Sequence, residues 1–416
     1  MKGFSSFALL RVFAQVLTFA AGVIVVRILP PDQYALYAIA AALIAAITAI
    51  SATGITSRFM ALGAALERPS MELDLLYGGA RSARLRLVTV VLVVALPFLA
   101  YLLISNGADP LAAVGILVLC VLSTVPLQQF GLASTELQLE KRFVLIGAID
   151  VIANGVRALS VTILWILGVS SAVVLFSVTA FVAWTQAVLG WRSVRRYVRA
   201  RVGVDPSSRR TFAIAVRQSL PAVLVMVASE QLVTLLLTLS GNTLGIAQVA
   251  ALSRYALAFA LVNNILGTWG ASALARTVGG RGTVLRASGR YLAVYGAACL
   301  AFLSITVIFS GPLLHLLGES YEQLTLEFAL LMAGATLTNF AAFGIGAINH
   351  ARGYLSLSWV YIPFVVAWLV IGMTFVDTSS SLGAAILAAS LAVPTLLGQL
   401  ARAIYGIWNH TQSDVE

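Results

Sequence analysis

Twelve apolar segments of about twenty residues each, joined by short polar connections, leave this 416-residue chain few folds to choose from. A helix rises about 1.5 Å per residue and the hydrocarbon of a bilayer is about 30 Å thick, so each segment matches one crossing. Lipid offers no hydrogen bonds, and a run of this length satisfies its own backbone only as a helix. The segments run 6–28, 34–57, 86–104, 111–133, 143–167, 172–191, 211–239, 244–274, 290–310, 324–348, 354–376 and 382–404. Charged residues make up 10% of the chain and mean hydropathy is +0.97. A soluble domain carries about a quarter charged residues, so the expectation is an all-α, polytopic membrane protein. The first segment is long, contains Arg11 and lacks a small-residue cleavage site, so it reads as a retained helix rather than a signal peptide.

The net charge of +10 could suggest a nucleic-acid partner, but the basic residues sit where a membrane topology wants them. With the N-terminus inside, cytoplasmic segments hold 21 of the 26 lysines and arginines, among them Arg58, Arg81, Arg84, Arg86 and seven arginines from Arg192 to Arg210. The outside keeps only Arg27, and external connections carry Asp32, Asp109, Glu319, Glu322 and Asp377. This bias orients the chain with both termini cytoplasmic and supports an even number of spans. No nucleic-acid role is needed.

The basic connection at 192–210 divides the chain into a lobe at 1–191 and a lobe at 211–416, each of six helices. Leu29 to Tyr37 and Leu239 to Ala247 both join the first to the second helix of a half, a faint repeat. Two equivalent bundles suit a transporter whose substrate binds between them.

A charge at the bilayer centre costs about 2.5–3.5 kcal/mol on insertion scales, so charges within spans carry functional information. They are Arg11, Arg157, Arg217 and Arg254, with Asp150 and Glu230. Helical spacing places Arg11, Gln15, Thr18 and Gly22 on one face, and Asp150, Asn154 and Arg157 on another. Asp150 and Arg157 are two turns apart, too far for direct contact. Arg11 either snorkels to the cytoplasmic interface or faces a cavity. Arg157 and Arg254 lie deeper and read as cavity residues, Arg217 fits either reading, and Arg58 reads as an ordinary inner-end residue. Four arginines against two acids cannot all pair internally, which points to a water-filled cavity receiving an anion. Glu230 is open between a proton or sodium coupling site and an internal partner for an arginine such as Arg254. Asp150 and Asn154 share that choice between coupling and internal pairing. Thr124 with Gln128 and Thr336 with Asn339 read as helix bridges as readily as substrate contacts. Pro221, Pro363 and Pro394 are candidate kinks.

Cys120 and Cys299 each sit in an apolar run, and His315, His350 and His410 are scattered, so neither a disulfide nor a metal site is expected. No phosphate-binding loop of the Walker type, dinucleotide fingerprint or nucleophile elbow is present, so no cofactor or ATP hydrolysis is expected. Gly279 to Gly282 reads as a flexible cytoplasmic turn.

Three local patterns, in this order and spacing, resemble the bacterial polysaccharide-transport, Wzx-like oligosaccharide flippases. They are Arg27-Ile-Leu-Pro-Pro-Asp-Gln-Tyr-Ala-Leu-Tyr37, Leu313-Leu-His-Leu-Leu-Gly-Glu-Ser-Tyr321 and Ser381-Leu-Gly-Ala-Ala385. The resemblance covers essentially the whole chain and implies the superfamily of multidrug exporters and lipid II flippases, with two lobes and alternating access. It implies an undecaprenyl-pyrophosphate-linked oligosaccharide as cargo, moved to the external leaflet of a bacterial inner membrane for O-antigen, capsule or exopolysaccharide synthesis. It also implies a polysaccharide polymerase and a chain-length regulator as partners. Arg11, Gln15, Arg157, Arg217 and Arg254 would then meet the anionic headgroup. Ser229-Glu230-Gln231 departs from the Asp-Arg pair that many relatives resemble, which leaves Glu230 without an inherited role. Lipid II flippases add two C-terminal helices that this chain does not reach.

Two rivals stand beside that reading. A cation-coupled exporter of small molecules would use Asp150 or Glu230. A membrane glycan polymerase or ligase needs a substantial external loop, and the longest outside connection here is about Gly311 to Gln323. No bond need be broken by a flippase, so the chain is not read as an enzyme.

Overall fold

The computed structural model describes residues 2–63, 66, 70–195, 206–263, 266, 274, 277, 280–351 and 360–408. Among the described residues the fold is all helix, with no strand. Among the described residues nine helices are long and apolar enough to cross a membrane, and Val223–Leu239 and Tyr361–Phe375 are shorter apolar helices. The chain is a multi-pass membrane protein.

The chain divides into two compact units, Met1–Thr238 and Leu239–Glu416. The first contains α1 (Lys2–Ile28), α2 (Pro31–Ala52), α3 (Ile55–Gly63), α4 (Met71–Ser105), α5 (Pro110–Leu139), α6 (Phe143–Ile166) and α7 (Ala172–Val194), and nearly all of α8 (Pro206–Leu239). Phe212 of α8 is fully buried in a cluster with Phe59, Leu73, Tyr77 and Leu132, and Val227 packs on Ala46 and Ile50. α8 therefore packs into clusters with residues of α2 to α7. Most of the basic connection at 192–210, namely 196–205, lies outside the described residues, as do His410, Gly279 and the side chain of His350.

Most expected spans return with shifted ends. The segment 86–104 is the middle of α4, which begins at Met71, where the Ser70 hydroxyl accepts the Leu73 amide. Arg81, Arg84 and Arg86 are helical rather than loop residues, and Arg84 is buried. Likewise α5 runs on to Leu139 and carries a fully buried Glu136. The segment 34–57 is broken by Gly54 at φ +69°, which separates α2 from α3.

The second unit contains α9 (Thr243–Leu252), a 3₁₀ stretch (Ser253–Ala258), α10 (Phe259–Val262), α11 (Arg281–Ile308) and α12 (Ser310–Leu317). After them come α13 (Thr325–Asn339), a π stretch (Phe340–Ile345), α14 (Gly346–Ala351), α15 (Tyr361–Phe375), α16 (Ser381–Ser390) and α17 (Ala392–Trp408). Pro394 removes an amide and crowds the carbonyl four residues back, at Ser390, where α16 stops. Pro363 instead occupies the first turn of α15, where proline is tolerated, so it makes no kink. Gly334 lets α13 lie against α16, since a Cβ there would stand 2.5 Å from the Ala389 Cα.

The faint repeat has a structural counterpart. In the first unit the α1–α2 link reaches the start of α7, where the Ala172 amide donates to Gln33 Oε1 at 3.3 Å. In the second, the α8–α9 link reaches the residues before α16: Asn242 Nδ2 donates to the Thr378 and Ser380 carbonyls at 2.8 and 3.2 Å. Its Oδ1 also caps α9 by accepting the Gly245 amide at 2.7 Å. Asn242→Ala removes all three bonds and should cost about 1–3 kcal/mol, read as a lower thermal-unfolding midpoint of the purified protein.

Candidate functional site

The first unit holds a continuous polar line where α6 meets α1, α2 and α7. Arg11 Nη1 stands 2.7 Å from Asp150 Oδ2. Gln186 Nε2 of α7 donates to Asp150 Oδ1 at 3.4 Å. One turn on, Asn154 Nδ2 donates to the Asp150 carbonyl at 2.9 Å, and its Oδ1 faces the Thr18 hydroxyl at 2.9 Å. A further turn on, Arg157 Nη2 donates to the Tyr37 hydroxyl at 2.8 Å. The guanidinium of Arg11 also lies 5.3 Å from the Phe7 ring centroid, within cation–π range.

The two helical faces expected from spacing thus meet each other. α1 presents Arg11 and, seven residues on, Thr18; α6 answers with Asp150 and, four residues on, Asn154. Asp150 and Arg157 do not touch, as their two-turn separation requires, and each has its own partner.

The two cations of this line differ in what they have left to offer. Arg11 is neutralised by Asp150, yet its side chain keeps 40% exposure against 10% for the acid. Among the described residues the hydrogen-bond partner of Arg157 is a neutral phenol, so no carboxylate compensates its charge. A guanidinium has five N–H donors, and Arg157 spends one here. Chemically the line can receive an anion at Arg157 while Arg11 is held in place by Asp150.

The remaining expected site residues are spread more widely. Gln15 is half-buried on α1 and Arg217 is exposed on α8. Arg254 is half-buried in the 3₁₀ stretch of the second unit, where the expected 244–274 span changes helix type. The side chain of Glu230 lies outside the described residues, as does Asn264. Thr336 bonds its own helix at the Met332 carbonyl, which is an intrahelical contact rather than a bridge. Asn339 does bridge: Asn263 Nδ2 donates to its Oδ1 at 2.8 Å, and the Tyr295 hydroxyl donates to Asn263 Oδ1. This cluster adjoins the π stretch, where the Tyr291 hydroxyl donates to the Phe343 carbonyl at 3.0 Å. Among the described residues no group of His, Cys, Asp and Glu could hold a metal.

No family model matches the chain, and no curated protein matches its sequence. Solved structures do match. An inward-facing multidrug resistance MATE family transporter of the MOP superfamily aligns with TM-score 0.74 over 94% of this chain and 93% of its own, at 16% identity. The fold is that of the MOP-superfamily transporters. An inward closed conformation of the lipid II flippase MurJ aligns equally well, with TM-score 0.74 over 97% of this chain and 89% of its own, at 11% identity. An outward-facing MATE transporter of the MOP superfamily gives 0.60 over 98% and 94%, at 15% identity. At these identities the likeness establishes the MOP fold, about twelve helices in two lobes, and not the cargo.

Proposed function

We propose that this chain is a flippase for a polyprenyl-pyrophosphate-linked oligosaccharide, moving it from the cytoplasmic to the external leaflet by alternating access. The observation that carries the reading is Arg157: a half-buried guanidinium within a membrane-crossing helix, bonded only to a neutral phenol among the described residues. A charge in that position is costly unless it meets an anion. Pyrophosphate fits the forked donors of arginine. Arg11, Gln15, Arg217 and Arg254 complete the proposed set of headgroup contacts, with Asp150 and Asn154 fixing Arg11 and α6. Glu230 is proposed as a coupling acid or an internal partner.

The basic-residue distribution supports an inner-membrane orientation with both termini cytoplasmic. The lobes are proposed to be 1–191 and 211–416, joined by 192–210. A polysaccharide polymerase and chain-length regulator are proposed partners in surface-polysaccharide synthesis. No bond is made or broken in this cycle, so no enzymatic activity is proposed.

A second reading rests on Asp150, a buried carboxylate in a fold shared with multidrug transporters: a cation-coupled exporter that protonates Asp150. Protein in liposomes carrying fluorescent lipid-linked oligosaccharide separates the two. Under the flippase reading Arg157→Ala slows headgroup translocation about tenfold or more, the loss of one charge-assisted contact, while Asp150→Asn is milder. Drug efflux abolished by Asp150→Asn, with no movement of the glycan lipid, would establish the exporter instead.

A further inference from the structure

The first unit contains a cavity of about 230 Å³ that the polar line does not use. Its walls come from α4, α5 and α7, at the end of the unit proposed to be cytoplasmic. Tyr77, Arg81 and Arg84 come from α4, Gln128 and Gln129 from α5, and Trp191 from α7. At about 30 Å³ per water the space equals about eight waters, enough for a phosphate and part of its carrier.

Two of these side chains are buried with hydrogen-bonding capacity unspent. Gln128 is 2% exposed, and neither its Nε2 nor its Oε1 has a partner among the described residues. Arg84 is 5% exposed. Its Nη1 donates to the Gln128 carbonyl at 3.1 Å and its Nη2 to the Thr56 hydroxyl at 3.4 Å, while its Nε has no partner. The guanidinium lies directly over Gly131, where a Cβ would come within 2.9 Å of Nη1. Buried polar groups in native proteins are nearly always satisfied, and an unsatisfied amide and guanidinium in one cavity call for a ligand that accepts from both. Arg81, exposed one turn before Arg84, adds a second cation. Glu136, fully buried on α5, interacts with Tyr77, so the group holds two guanidiniums against one carboxylate. Trp191 and Tyr77 add aromatic walls of the kind that favour a membrane interface.

We propose that this cavity binds a phosphate group, carried by an anionic lipid headgroup or free in solution, with Arg81, Arg84 and the Gln128 amide as its donors. The site is separate from the Arg11–Asp150 line and does not depend on the flippase reading.

The test uses the full chain in phosphatidylcholine nanodiscs, titrated with short-chain phosphatidylglycerol or with inorganic pyrophosphate and read by thermal shift. Saturable stabilisation by either probe is expected, and which probe acts identifies the source of the phosphate. Arg81→Ala should weaken that binding about tenfold, and charge-matched Arg286→Ala, on an exposed surface of the second unit, should leave it within about twofold. Because Arg84 variants are liable to misfold, Gln128→Leu is the second probe. It should raise the unliganded midpoint by removing an unpaired amide, yet reduce the ligand-dependent shift. Absence of saturable stabilisation by both probes, or equal shifts in wild type, Arg81→Ala and Gln128→Leu, overturns the proposal.

Discussion

Arg11→Ala should destabilise the protein by about 2–3 kcal/mol, because it strands the Asp150 carboxylate with one long hydrogen bond to Gln186. Breaking a wholly buried pair costs about 3–5 kcal/mol, and the 40% exposure of the Arg11 side chain reduces that figure here. Asp150→Asn should cost less, since the freed guanidinium can reach water or ligand. The informative variant is the neutral pair, Arg11→Gln with Asp150→Asn. It removes both charges, keeps side chains of similar size and should recover most of the lost stability. Under the flippase proposal it should still translocate poorly, because the cation is gone even though the packing is restored. Thermal unfolding in detergent gives the first quantity and headgroup accessibility in liposomes the second. Full translocation by the neutral pair would reduce Arg11–Asp150 to a helix tie.

Gly54→Ala should be at least as damaging, on the order of 3 kcal/mol or more, for two separable reasons. Gly54 has φ +69°, which costs an L side chain about 1–2 kcal/mol. Its missing Cβ would also stand 2.5 Å from the Ala215 carbonyl oxygen, a backbone atom of α8 that cannot simply rotate away. Gly107→Ala isolates the first term, because Gly107 has φ +84° and nothing within 4 Å of its Cβ position. The expected order of unfolding midpoints is wild type, then Gly107→Ala, then Gly54→Ala. Equal losses at the two glycines would mean that the close approach of α8 to the α2–α3 break contributes little.

Asp150 and Arg11 show how far residue spacing reads on its own. Each was identifiable as a misfit charge, and each belonged to a polar stripe with alternating intervals of four and three residues. Their pairing was not identifiable, since 139 positions separate them and only the packing of α1 on α6 brings the stripes together. The Asp150–Arg157 separation could be read, because both lie on one helix and helix geometry is local.

Arg84 and Glu136 show the opposite case. The Arg84 cluster is basic and flanks an apolar run, so hydropathy assigns it to a loop, and the structure buries it. Hydropathy reports transfer into hydrocarbon; it does not register a helix that continues into water or against a neighbouring helix. α4 therefore begins fifteen residues before the expected span, at Met71 rather than at residue 86, and α5 outlasts its own span to carry Glu136. The Gln128 amide was visible as a polar residue in an apolar run, but its lack of partners depends on what α4 and α7 place around it.

The twelve apolar segments of the sequence settled the solvent and the helix, and nine of them return among the described residues as helices long enough to cross. Hydrocarbon thickness and backbone satisfaction act on each segment separately, so no partner need be known. The basic residues carried an expectation of orientation on the same local terms. Tertiary structure decided what depends on pairs: that among the described residues Arg11 has a carboxylate partner and Arg157 does not, that α8 packs into clusters with α2 to α7, and that a cavity is lined by Arg84 and Gln128. Those are contacts between helices far apart in the chain, and segment length and composition carry no information about them.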